Sequence, residues 1–182
     1  MARKETITQN DILQAAFEMV KEEGFENVTA RKLAAKAGCS TQPIFRVYRG
    51  MEELAEELFL MAIDYFEVYY EKFPKYNDIP FVDLGLTYIR FAEDNKNLFR
   101  LLFLSEQRYG KSLYDLLNGK KGAVVREINY AKEYGCMSSE ELFTKMWIFI
   151  HGAACMTLTG DYDLPESETV KLLEDCFRSF LK

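Results

Sequence analysis

From Asn27 through Met51 the chain contains no acidic residue, while Arg31, Lys32, Lys36, Arg46 and Arg49 all fall inside that stretch. Within it, Ala34 is followed four positions later by Gly38. This pair restricts the local fold severely. Two short helices that cross closely at a steep angle need a small side chain at the crossing, and the tight bend between them needs a residue that tolerates positive φ. Apolar residues must flank both positions and recur in the second helix. Leu33, Ala37, Cys39, Ile44 and Val47 occupy those offsets. The constrained positions of a helix-turn-helix are therefore all filled, over about residues 29–48.

The rest of the chain also reads as helix. Ile12, Ala15, Ala16, Met19 and Val20 recur at helical spacing, which predicts an amphipathic first helix opened by Thr8 with Asp11 and stopped at Gly24. Thr29 is placed to cap the next helix and Ser40 the third. A longer helix is expected from Met51 to about Lys72, with Glu52 and Glu53 matching the positive end of its dipole. At about 1.5 Å per residue it spans roughly 33 Å. Phe73 to Pro80 reads as a loop. Helices are expected at about 81–94, 96–105 and 123–134, with a short one possible between 106 and 122. Ser138 with Glu141 reads as a capping box for a helix to about Leu158. A last helix covers about 165–181. Strand alternation is absent, so the fold class is all-α.

Composition removes several function classes. The chain has 182 residues and a net charge of −6, which taken alone argues against nucleic acid. The charge is uneven, however. Residues 1–50 hold eight Lys/Arg against six Asp/Glu, a net of +2, and residues 51–182 hold fifteen against twenty-three, a net of −8. A locally positive, acid-free segment can approach a polyanion while the remainder is repelled from it. The nearly apolar run Met146 to Met156 is shorter than the ~18 to 20 residues of a membrane span, and the charged start is unlike a signal peptide, so no membrane partner is expected. Cys39, Cys136, Cys155 and Cys176 lack CxxC spacing and read as free thiols of a cytoplasmic protein. His151 is the only histidine, which excludes His-rich metal sites and every Cys-His or Ser-His triad not built on it. No cofactor and no metal is expected.

The second helix of the motif turns Thr41, Gln42, Phe45 and Arg46 outward. Gln pairs with adenine bidentately, Arg with guanine or phosphate, and Thr and the aromatic ring can meet phosphate or a thymine methyl. The candidate DNA-binding residues are Thr29, Arg31, Ser40, Thr41, Gln42, Phe45, Arg46, Tyr48 and Arg49.

Residues 8–58 resemble the DNA-binding domain of the TetR/AcrR transcriptional regulators. The resemblance rests on Ile12 to Ala16 with Gly24-Phe25, Val28-Thr29, Leu33-Ala34, Ala37-Gly38-Cys39-Ser40, Ile44-Phe45, Tyr48 and Glu52-Leu54. The family usually closes this region with a Tyr, one or two residues, a Phe, then Ser-Lys-Glu. This chain has Phe45, Tyr48 and Gly50-Met51-Glu52, so Phe45 lacks a phosphate-binding hydroxyl and Met51 lacks the lysine. Arg46 and Arg49 are the candidates to replace them. Farther along, Trp147 to Ala154 looks like the buried helix of some members' effector domains.

The resemblance implies a helix-turn-helix DNA-binding domain over residues 1–50 and a helical effector-binding and dimerisation domain over 51–182. It implies a homodimeric repressor on a palindromic operator, its two recognition helices entering major grooves roughly 34 Å apart. A small apolar or aromatic effector would tilt the fourth helix and lower operator affinity. The pocket candidates are Tyr65, Tyr69, Tyr88, Phe91, Phe99, Phe103, Trp147 and His151, all of which any helical core would also contain. His151 is read first as a satisfied core or interface histidine. The dimer candidates are Phe149, Gly152, Ala153, Met156, Leu173, Phe177 and Phe180, and Gly152-Ala153-Ala154 serves intrachain packing equally well. Two other readings stand beside this one. The first is a DNA-binding protein of the same architecture that answers to a protein partner or activates transcription. The second is a helical enzyme, for which the sequence offers no nucleophile–base pair, phosphate-cradling loop or metal cluster.

Overall fold

The computed structural model describes residues 7–75 and 77–181, and among them every regular element is a helix. The elements are α1 (Gln9–Glu23), α2 (Ala30–Lys36), α3 (Gln42–Val47), α4 (Met51–Lys72), α5 (Val82–Asp94), α6 (Lys96–Phe99), α7 (Leu113–Asn118), α8 (Ala123–Glu133), α9 (Ser139–Thr159) and α10 (Glu166–Phe180). A short 3-10 turn, Phe25–Asn27, precedes α2, and α6 runs on into a π-helical turn, Arg100–Leu104.

The local chemistry explains the helix starts. Thr8 Oγ1 accepts the Asp11 N–H at 3.2 Å, and the Asp11 carboxylate accepts the Thr8 N–H at 2.9 Å, a reciprocal capping box. The Thr8 hydroxyl first, then the Thr8 N–H, both donating to it, hold the Asp11 carboxyl below its ordinary pKa. Thr29 caps α2 by accepting the Lys32 N–H. Two expected caps differ. Helix α3 opens after Thr41 rather than Ser40, with Thr41 already helical at φ −72° and bonding no backbone N–H through its side chain. Pro43 lies in the first turn, where its missing N–H costs little. At α9 the Ser138 hydroxyl bonds the Glu141 carboxylate at 3.3 Å instead of capping the backbone.

The chain forms two compact units, which divide within α4. The first holds the described residues up to Asp64 together with Asn97–Gly110. Its core packs α1 against α2 and α3, with Ile12, Ala16, Val20, Leu33 and Ile44 buried. The bend between α2 and α3 is made by Gly38 at φ 67°, the left-handed region that its neighbours' side chains would resist. The second segment belongs here for a physical reason. The Asn97 amide donates to the Lys21 carbonyl at 2.9 Å, Tyr109 lies 5.4 Å from Phe59, and Leu98 to Phe103 are buried except for exposed Arg100.

The second unit holds Tyr65 to Lys96 and the described residues from Lys111 onward. Helix α5 is buried on nearly every side and packs against α9 and α10. A Cβ added at Gly85 would sit 2.8 Å from Ile150 Cδ1 and 3.3 Å from Leu173 Cδ1, so any larger residue there would make Ile150 shift. Helix α9 has the length and apolarity of a membrane span, yet its apolar side chains Leu142, Met146, Trp147, Ile150, Ala153 and Ala154 are buried inside this unit.

Candidate nucleic-acid interface

Helix α3 buries one residue, Ile44, and turns the rest outward. Ser40, Thr41, Gln42, Phe45 and Arg46 are exposed, Phe45 to 51%. An exposed Phe is costly to leave in water, so this ring marks a surface made to be covered. Together with half-buried Pro43, the side chains of Ser40, Gln42, Phe45 and Arg46 line a shallow concavity.

The charges around α3 fall into two groups. The Lys32 ammonium lies 3.5 Å from Glu23 and 2.7 Å from Asn27, and Lys36 is paired with Glu22. Their cations are spent on the far end of α1. Arg31, Arg46 and Arg49 are exposed and have no carboxylate partner among the described residues. Arg46 donates from Nη2 to the Ile7 carbonyl at 3.0 Å, which anchors the strand of chain entering α1 and keeps the guanidinium charge. The Arg49 backbone N–H is held by Glu53 at 2.6 Å, and its side chain stays in solvent. Three unneutralised guanidinium groups beside an exposed polar helix are the requirement for phosphate contact flanking base contact.

Tyr48 does not belong to this surface. It is 1% exposed, and its hydroxyl donates to Glu57 at 2.8 Å. Burial first, then the adjacent Glu57 carboxylate, drives the phenol pKa well above its ordinary value. The same carboxylate accepts the Gln9 amide at 2.8 Å. Tyr48 is thus a core residue that ties the end of α3 to α4 and to the start of α1. Its spacing from Glu57, nine residues across a helix boundary, carries no periodic signal by which sequence reasoning could have found the bond. Thr29 is exposed, but its hydroxyl is engaged as the α2 cap.

The pocket candidates separate into two groups. Phe99 and Phe103 lie 5.1 Å apart and tilted by 51° inside the first unit, fully buried. They are core there, in the segment that Asn97 ties to α1, and so they stand apart from the other six. In the second unit Tyr69 and Tyr65 meet Phe91 at 5.2 and 6.4 Å, and Phe66 joins Phe91 to Tyr88. Tyr88 meets Trp147 at 4.6 Å, and Trp147 stacks on His151 at 6.0 Å and 28°. Phe143 extends this wall, lying 6.2 Å from Trp147 and 24° from parallel. Sequence reasoning missed Phe143, although its place four residues before Trp147 is the signal that finds it. Tyr65, Tyr69, Val68, Lys72, Phe73 and Pro74 also line an open groove on the C-terminal part of α4.

The dimer candidates are likewise sorted by burial. Gly152 and Met156 are exposed, and Phe149 and Phe180 are half-buried. Ala153, Leu173 and Phe177 are buried in their own unit, with Leu173 over Gly85 and Phe177 edge-on to Tyr134 at 5.5 Å. Their apolar spacing serves the intrachain core. Ile148, 70% exposed one turn before Gly152, is the apolar residue of that face the sequence reading omitted.

Residues 12–58 match the family model described as bacterial regulatory proteins of the tetR family. No curated protein matches the chain. Among solved structures the fold is similar to that of a TetR family protein from Vibrio parahaemolyticus. There the TM-score is 0.66 and the identity 22%, over 93% of this chain and 96% of that one. It is also similar to a TetR-like transcriptional regulator from Rhodococcus sp. RHA1. That match has a TM-score of 0.64 and 14% identity, over 94% of each chain. The matched segment is the one that carries the exposed α3 and the outward-facing arginines; residues 12–58 are thus similar to the DNA-binding helix-turn-helix of the tetR-family regulatory proteins, and the chain as a whole shares the fold of the TetR-like regulators.

Proposed function

We propose that the protein is a homodimeric repressor that leaves a palindromic operator when a small apolar or aromatic molecule binds within residues 51–182, operator recognition residing in residues 1–50. The observation that carries the recognition part is the polar face of α3, exposed beside Arg31, Arg46 and Arg49. Gln42 and Arg46 are assigned to base edges, Arg31 and Arg49 to phosphates, with Ser40 and Thr41 as polar contacts to the backbone. Release is supported by the open groove of Tyr65, Val68, Tyr69, Phe73 and Pro74 on the C-terminal part of α4, which offers the apolar and aromatic lining such an effector needs. Helix α4 is the route by which an effector acts on α3. The effector must bind the released shape better than the operator-bound one, since equal affinity shifts nothing. Dimerisation is assigned to the exposed strip Ile148, Gly152 and Met156 of α9.

The test is selection of bound sequences from random DNA, followed by titration of the selected duplex. A palindromic consensus with half-sites about one helical turn apart is expected. Binding with no sequence preference would refute the recognition assignment. Release is tested by adding aromatic and apolar compounds to the complex, and a complex that none of them dissociates speaks against effector control.

A further inference from the structure

Phe81 enters α5 at φ 67°, a left-handed conformation that a bulky residue keeps only when its surroundings impose it. One constraint is its backbone N–H, which donates to Glu127 Oε2 on α8 at 2.5 Å. Two residues on, Asp83 is 8% exposed. Its Oδ2 accepts the Asn77 N–H at 3.3 Å, whereas its Oδ1 is buried and has no hydrogen-bond partner among the described residues. A buried carboxylate oxygen without a donor destabilises the fold, so such an orphan in a native chain marks a place where a donor is meant to arrive.

The groups around Asp83 suit a cation. The Tyr70 ring is buried, and the Lys75 ammonium lies 3.4 Å from its centroid, with the Phe73 ring centroid at 5.9 Å. Burial lowers the Lys75 pKa, and Asp83, then Glu127, then Glu71 oppose that shift. These carboxylates therefore act on Lys75, yet among the described residues none forms an ion pair with it. Glu71 is taken by Arg126 at 3.1 Å and by Lys121 at 3.5 Å, and Arg126 also donates to the Lys121 carbonyl. Lys75 thus rests on the ring face, and the Asp83 oxygen stays open. Among the described residues no three acidic, His or Cys side chains are arranged to hold a metal ion, so the cation that fits is organic.

We propose that Tyr70, Asp83 and Glu127 form a binding site for a primary alkylammonium, with Lys75 as its internal stand-in. The ligand's ammonium takes the place of Lys75 on the Tyr70 face and donates to Asp83 Oδ1, with Glu127 as a further acceptor. A primary ammonium carries three N–H donors and can lie on an aromatic face at the same time. A quaternary ammonium has the charge and no donor, and so leaves Asp83 Oδ1 unsatisfied. Lys75 belongs to the loop after α4 and swings outward as the ligand enters. The inference goes beyond effector-controlled release and stands apart from the groove of Tyr65 and Val68, because binding is read as heat with no DNA present.

The experiment titrates the full chain with n-butylammonium chloride in a calorimeter at pH 7, and with tetramethylammonium chloride at the same ionic strength. Saturable binding of n-butylammonium is expected, with tetramethylammonium weaker by about tenfold or more, the size of one lost hydrogen bond to a charged group. Lys75→Met keeps the stem and removes the competing charge, and it should tighten n-butylammonium binding by about tenfold. Asp83→Asn in the Lys75→Met background should weaken it again by about tenfold. Equal affinity for the two cations would overturn the proposal, since it would report charge attraction alone. So would Lys75→Met with no saturable heat, or with an affinity no higher than the parent's. Those comparisons leave Asp83 in place and decide the matter even if Asp83→Asn folds poorly. Undiminished binding to a folded Asp83→Asn variant would also overturn it.

Discussion

The helix-turn-helix unit and the α5–α9–α10 unit solve opposite problems with the same secondary structure. Around α3 the surface left open to solvent is polar and charged apart from Phe45, with a row of polar side chains and three guanidinium groups that have no carboxylate partner among the described residues. Around α9 the core is aromatic and the charges are mostly paired, as Arg90 is with Glu93 and Glu166. What is left open there is apolar, with Ile148 and Met156 exposed. An unpaired cation is stable in water and waits for a polyanion at no cost in folding. An exposed apolar strip is stable only when something covers it. The strip of the second region is the one that the proposed dimer would cover.

The contrast can be broken most forcefully at the aromatic wall. Trp147→Ala should destabilise the protein by about 3–5 kcal/mol, the range for emptying a buried large aromatic site, measured by urea unfolding. A loss below 1 kcal/mol would mean the wall is loose and not a core. Next comes the apolar strip. Ile148→Glu should convert dimer to monomer in sedimentation with the fold intact by circular dichroism. Phe177→Glu should instead unfold the chain, because Phe177 is 0% exposed. A dimer that survives Ile148→Glu places the seam elsewhere. At α3, Gln42→Ala should weaken operator binding by about 1–3 kcal/mol without changing stability, whereas Arg31→Ala should weaken all duplexes alike and reduce the salt slope by about 1. Anisotropy titrations at several salt concentrations separate the two.

The smallest effect expected is at Glu127, whose burial raises its carboxyl above the ordinary 4.5. The folded state therefore favours the protonated form. That contribution is fully present below pH 4.5 and is lost as pH rises through the raised value. Glu127→Gln should flatten this slope, read as the urea midpoint at pH 4 and pH 7. Parallel curves for the two proteins would show that Glu127 does not titrate in this range.

The two regions were not equally legible from the amino acids. The bounds of α4 and the small-residue and glycine positions of the α2–α3 bend follow from local spacing and turn chemistry, which a sequence displays directly. The C-terminal part is harder, for a specific reason. Apolar spacing on α9 and α10 says that a face is covered and not by what, so Leu173 and Phe177, which are core, read the same as Ile148, which is open. Phe99 and Phe103 fall apart from the other pocket candidates because the return of residues 97–110 to the first unit depends on long-range contacts such as Asn97 to Lys21. Tyr48 stands among the candidate DNA contacts because the bond to Glu57 that accompanies its burial spans a helix boundary. The grouping of Tyr70, Lys75, Asp83 and Glu127 needs α4, α5 and α8 brought together before it can be seen.

The knot of Tyr48, Glu57 and Gln9 has a mechanical consequence. Three helix segments share one carboxylate, so α3 has no hinge of its own relative to the first turns of α4. If the proposed release turns the first turns of α4, Gln42 and Arg46 would turn with them as a block instead of adjusting singly to the grooves. Cutting the knot with Tyr48→Phe would give each recognition helix slack, and the protein would tolerate operators of wrong spacing that the parent rejects.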